Sequence, residues 1–99
     1  VSDGRRLWIR SRVVQAGRRP AYREAVIAAG VTAGEFGAHC WVFEADGSEG
    51  RFIEFFEGPS DDVVAVLLEA VDDSLRGAGG SEATDAVVGP PGLKCTEFG

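Results

Sequence analysis

The chain has 99 residues, an apolar fraction of 44% and a formal net charge of −6, which suits one packed domain and excludes a disordered chain. So small a domain leaves much of its surface uncovered and gains from burial in an oligomer. Residues 1–30 hold seven arginines against Asp3 and Glu24 (+5), while the rest hold three basic and fourteen acidic groups (−11); so acidic a chain lacks the phosphate-neutralising surface of a nucleic-acid binder.

In chain order, Leu7 to Gln15 reads as a strand. Alternation places Leu7, Ile9, Ser11 and Val13 on one face, expected to be the core, and Trp8, Arg10, Arg12 and Val14 on the other. Gly17-Arg18-Arg19-Pro20 turns into a helix, with Pro20 suited to the first turn. Tyr22, Ala25, Val26 and Ala29 form its apolar stripe, and Gly30 is the expected terminator, with residues 31–38 as a loop.

A β-hairpin follows from His39 to Glu57, holding five of the nine aromatic residues and the single histidine. Its first strand sets His39, Trp41 and Phe43 against Cys40, Val42 and Glu44. The loop from Ala45 to Gly50 contains Asp46-Gly47, good turn chemistry. The second strand sets Phe52, Glu54 and Phe56 against Arg51, Ile53, Phe55 and Glu57. Large apolar groups on both faces imply that both sides are covered at least in part.

Gly58-Pro59 breaks the strand, and Ser60 is a good N-cap, with Asp61 and Asp62 favouring the helix dipole. Val64, Leu67, Leu68, Val71 and Leu75 give a clean helical stripe up to Gly77, and Gly77 to Gly80 reads as a flexible joint. Thr84–Val88 and Leu93–Phe98 are short strand-like runs on either side of Gly89-Pro90-Pro91-Gly92, which marks a bend or an edge.

The order β, α, β, β, α, β predicts an α+β domain over 1–99: a ferredoxin-like βαββαβ arrangement with a four-stranded antiparallel sheet and two helices on one face. No apolar run reaches the 18 residues of a membrane span, and no signal-peptide pattern is visible. Cys40 and Cys95 have neither C-x-x-C nor zinc-like spacing, so no metal is expected, and the two are read as free thiols of a cytoplasmic protein. Their strands are expected at opposite edges of the sheet, which argues against a bridge within the chain.

The arginine-bearing first strand, the Tyr22–Ala29 helix, the hairpin closing on RFIEFFEGPS and the Val63–Leu75 helix together resemble the dimeric α+β barrel superfamily. Within it the likeness is to the antibiotic biosynthesis monooxygenase-like domains, where an aromatic-acid strand end, here Phe55-Phe56-Glu57, runs into a Ser-led helix, here Ser60. It spans roughly residues 5 to 88. The resemblance implies a homodimer with two sheets packed face to face, residues 89–99 serving as a dimer-exchanged C-terminal arm. It implies a small cofactor-independent monooxygenase-like enzyme acting on a flat aromatic or polyketide-like molecule. The superfamily also includes haem-degrading enzymes, isomerases, cyclases and proteins without known activity, so fold alone fixes no chemistry. The haem-degrading members use an Asn, a Trp and a His, and this chain has no asparagine.

His39, Arg10 and Glu54 are the candidate catalytic residues. Histidine is the side chain that titrates near neutrality. Arg10 and Arg12 offer donor forks for a carboxylate or oxyanion, with ion pairing to Glu54 or Glu44 as the structural counterpart. Glu54, between Phe52 and Phe56, is the carboxylate expected to be buried. Trp8, Trp41, Phe52 and Phe56, with Arg12 and with Tyr22 at the rim, are the candidate substrate-binding residues, and the same aromatics would equally serve as core. The alternative function is a non-catalytic small-molecule-binding or structural homodimer.

Overall fold

A computed structural model describes residues 5–45, 50–85 and 95–98. The elements are β1 (Arg6–Val13), a single 3-10 turn (Ala16–Arg18), α1 (Arg19–Glu35), β2 (His39–Ala45), β3 (Arg51–Gly58), α2 (Asp61–Gly79) and the short runs β4 (Thr84–Asp85) and β5 (Cys95–Glu97). The chain is α+β: an antiparallel sheet with both helices on one face. Three full strands carry the sheet in the order β1-β3-β2, with β4 paired to the outer edge of β1 and β5 to the outer edge of β2. The remainder of the expected strands, the Pro90-Pro91 bend and most of the hairpin loop lie outside the described residues.

Register fixes which side chains meet. Arg10 stands opposite Glu54 and Arg12 opposite Phe52 across β1 and β3. His39 stands opposite Glu57, Trp41 opposite Phe55 and Phe43 opposite Ile53 across β2 and β3. Since side chains alternate along a strand, these pairs divide the sheet into two distinct surfaces.

The helix-covered surface holds Val14, Val42, Phe52 and Phe56, packed against Tyr22, Ala25, Val26, Ala29 and Ala33 of α1 and Val64, Leu67, Val71 and Leu75 of α2. Fully burying a side chain such as Phe56 or Leu67 stabilises the fold by about 1.5–3 kcal/mol. The expected faces of β1 are reversed. Arg10, Arg12 and Val14 are buried under the helices, whereas Leu7 and Val13 are 55% and 62% exposed. Alternation of hydropathy assigns arginine outward, but here the aliphatic stems pack inside and carboxylates meet the charged heads.

Helix α1 does not stop at Gly30. It runs to Glu35, because Ala33 extends the buried stripe of Tyr22, Val26 and Ala29 by another turn. Termination comes at Gly37, with φ +68; the Ala38 N–H then closes onto the Ala33 carbonyl at 2.9 Å. Helix α2 starts as the sequence predicts, the Ser60 Oγ accepting from the Val63 N–H at 3.2 Å. It passes through the expected joint at Gly77 and ends on Gly80 in the left-handed region.

Cys95 does not sit at the opposite edge from Cys40. β5 pairs with β2, Cys95 facing Ala45. Ala45 is five residues along the strand from Cys40, roughly 16 Å at strand rise, so an intrachain bridge is still out of reach.

Candidate functional site

Two clusters of polar side chains occupy opposite faces of the sheet. The first is centred on Glu54, which is fully buried. Arg10 Nε donates to Glu54 Oε1 at 2.6 Å and Arg12 Nε donates to Oε2 at 2.9 Å. The Tyr22 hydroxyl of α1 also donates to Oε2. Arg10 reaches onward to Asp72 Oδ1 of α2 at 2.8 Å, and Arg12 donates to the Ser81 carbonyl. The Arg10 guanidinium lies over the Phe56 ring, 5.0 Å from its centroid.

One carboxylate thus ties β1, β3 and α1 together, and Arg10 carries the tie into α2. Burial alone would lower the Arg10 guanidinium, but Glu54 and Asp72 outweigh it and hold it above its ordinary value. Burial, reinforced by Glu54, pushes the Tyr22 hydroxyl far up, so it stays a donor. Burial and Glu54 also raise the Cys40 thiol to about 12, which makes it a poor nucleophile. Glu54 accepts from three side chains at once, which fills most of its acceptor capacity. The cluster acts as an internal brace. Phe98, with ring centroids 4.6 Å from Phe52 and 5.7 Å from Tyr22, covers its α1 side.

The second cluster lies on the face opposite the helices. His39 Nδ1 is 3.0 Å from Glu57 Oε1. Arg5 clamps the same carboxylate, Nε to Oε2 at 2.7 Å and Nη2 to Oε1 at 2.5 Å. The imidazole stacks on Trp41, with centroids 5.2 Å apart and an interplanar angle of 1°. Hydrogen bonds from Arg5, then from His39, lower the Glu57 carboxyl to about 2. Beyond this cluster the face is mostly apolar, with Leu7, Ile9, Val13, Phe43 and Phe55 around a buried Ile53 and with Ser11 and Arg51 as its polar members. Phe43 and Phe55 meet edge to face at 5.5 Å.

Of the residues singled out from the sequence, Arg10, Arg12, Tyr22, Phe52, Glu54 and Phe56 come together beneath the helices. His39 and Trp41 do not join them, because strand alternation sends them through the other face. Trp8 shares the helix-side parity but lies at the strand end, in a groove of ≈ 380 Å³ between β1 and the start of α2, beside Arg6, Asp61 and Leu68. Asp72, Arg5 and Glu57 were not picked out as functional. Glu57 carried none: a hairpin drawn symmetrically about its 45–50 loop sets His39 opposite Phe56, and the register in the structure is shifted by one residue. Asp72 carried none, since hydropathy gives no reason for an acid beside Val71 to reach the sheet. Among the described residues no group of three or more His, Cys, Asp and Glu is placed to hold a metal ion, and no helix is long and apolar enough to cross a membrane.

No protein-family model matches the chain, and no curated protein matches it in sequence. In structure it is similar to a conserved protein of unknown function from Bacteroides thetaiotaomicron, described as a possible oxidoreductase. The TM-score is 0.58 at 17% identity, covering 98% of this chain and 100% of the other. At that identity the likeness concerns the fold.

Proposed function

We propose that the chain is a ferredoxin-like domain that pairs with a second copy through the uncovered sheet face, as a dimeric α+β barrel, and binds a flat aromatic or polyketide-like molecule between the two sheets. The carrying observation is that face. Leu7, Val13 and Trp41 are 55%, 62% and 40% exposed on it, and with the partly exposed Ile9, Phe43 and Phe55 they give this face an apolar character, broken at Ser11, that favours burial against a partner. Arg51 lies at one end and Glu57 at the other. A two-fold axis between the sheets and across the strands sets unlike ends together. Residues 89–99 are read as an arm exchanged between copies, the β5 pairing to β2 being made with the partner's strand in place of the chain's own.

Within this reading the enzyme is a small cofactor-independent monooxygenase-like one. The description of the Bacteroides protein as a possible oxidoreductase agrees with that class without specifying a reaction. His39 and Trp41 belong to the site between the sheets, and Arg10, Arg12 and Glu54 support it from behind. The closed pairing around Glu54 favours the second reading, a non-catalytic small-molecule-binding or structural homodimer. A thermal-shift screen of flat aromatic and polyketide-like compounds separates binding from pure structure. Stabilisation by members of this class, lost on Trp41→Ala, is the expected result, and a panel without a single shift leaves the structural dimer.

A further inference from the structure

The imidazole of His39 is constrained far more than an exposed strand-end histidine requires. Its side chain is 58% exposed, yet its Nδ1 faces a carboxylate and its ring lies flat on an indole. Glu57 is acceptor-only while ionised, so Nδ1 must carry the hydrogen and Nε2 the lone pair. Arg5 grips both oxygens of Glu57 in a planar fork, which fixes the carboxylate that fixes the ring. The charged groups arrayed around the imidazole are Glu57 from β3 and, through it, Arg5 from the residue before β1. An exposed ion pair contributes only about 0–1 kcal/mol to stability. Stability therefore does not account for three residues holding one ring in one tautomer.

We propose that His39 is a proton acceptor for an acidic hydroxyl on a flat aromatic ligand lying along Trp41 and Phe55, with Glu57 and Arg5 as positioning residues. This rests on the sheet face being the ligand face. In the step, the ligand O–H bond breaks and its proton goes to the Nε2 lone pair. The bonding electrons stay on the ligand oxygen as a phenolate. Glu57 then faces an imidazolium, whose charge it offsets. No oxidant is consumed, and the reverse step restores the starting groups.

Because His39 is the single histidine, nitrogen NMR of the imidazole reads the tautomer without overlap. In its neutral ring, wild type should show mainly the Nδ1–H form. Glu57→Gln and Arg5→Gln should give a mixture while melting as folded proteins. 4-Nitrophenol serves as the probe, its phenolate being visible by absorbance. Bound to wild type it should titrate about one pH unit lower than free, a tenfold shift in ionisation. His39→Gln should abolish that shift and Glu57→Gln reduce it. A mainly Nε2–H tautomer in wild type, no shift of the probe, or a shift surviving in His39→Gln each overturns the proposal. The tautomer is read equally in monomer and dimer, so a monomer by sedimentation would remove the barrel reading without touching this result.

Discussion

The Glu54 carboxylate sets the strongest expectation for a single residue. Glu54→Leu leaves the guanidinium heads of Arg10 and Arg12 buried against a hydrocarbon, and breaking a buried pair from one side costs about 3–5 kcal/mol. Tyr22→Phe removes one donor to a charged acceptor and keeps the ring against Phe52, for a loss of about 1.5–3 kcal/mol. Urea unfolding of both variants should keep that order, and a Glu54→Leu protein as stable as wild type would remove the brace from the account. Glu57 behaves differently because it is only partly buried and its contribution depends on pH. Its folded value, about 2, lies below the ordinary glutamate value of about 4.3. Its stabilisation is therefore present above the unfolded value and lost as pH falls towards 2. Thermal melts of wild type and Glu57→Gln should differ most at neutral pH and converge near pH 2. Pairing of Arg10 with Glu54 was legible once their strands were taken as neighbours. The His39–Glu57 pair escaped notice because a hairpin symmetric about its loop sets Phe56 opposite His39, one residue short of the register the structure adopts.

At the scale of elements, the two helices and the hairpin were legible because each has a clean period and a clear start or stop, as at Ser60. Where the reading failed, a residue had a role its hydropathy does not show. Gly30 looked like a terminator but is an interior helical position, since the buried stripe continues past it to Ala33. Gly79 looked like part of a joint but is the point where α2 presses on the sheet. A Cβ there would lie 2.9 Å from Arg12 Cδ and 3.4 Å from Tyr22 Cδ1. Arg12 is held by Glu54 and cannot yield. Gly79→Ala should therefore cost about 1–3 kcal/mol by overpacking. A Cβ at Gly30 meets nothing within 4 Å, so Gly30→Ala should stabilise by about 0.5–1 kcal/mol through helix propensity alone. Chemical denaturation of both would show opposite signs, and equal signs would mean that the helix lies at a different height over the sheet. The inverted faces of β1 have the same root. Leu7, Ile9 and Val13 read as core, and a surface so apolar calls for a cover of its own.

That cover is a property of the whole molecule. Both helices occupy one side of the sheet, so among the described residues the chain has no second layer of secondary structure to set over Ile9, Phe43 and Phe55. In the proposed dimer a second copy would supply an identical layer, since sheets stacked face to face pack about 10 Å apart with interdigitating side chains. Leu7 and Val13 sit at opposite ends of β1 on this face and are already exposed in the single chain. Replacing both with lysine should therefore leave the monomer fold and its circular dichroism unchanged. At a dimer interface both lysines would lose water, one opposite Arg51 and the other opposite a Glu57 whose carboxylate Arg5 and His39 already engage. An uncompensated charge of that kind costs about 2–5 kcal/mol, which is more than tenfold in the dimer dissociation constant. Sedimentation velocity over a concentration series should show wild type as a dimer and Leu7→Lys/Val13→Lys as a folded monomer. A double variant that associates as tightly as wild type would move the interface off this face, and the ligand site between the sheets would go with it.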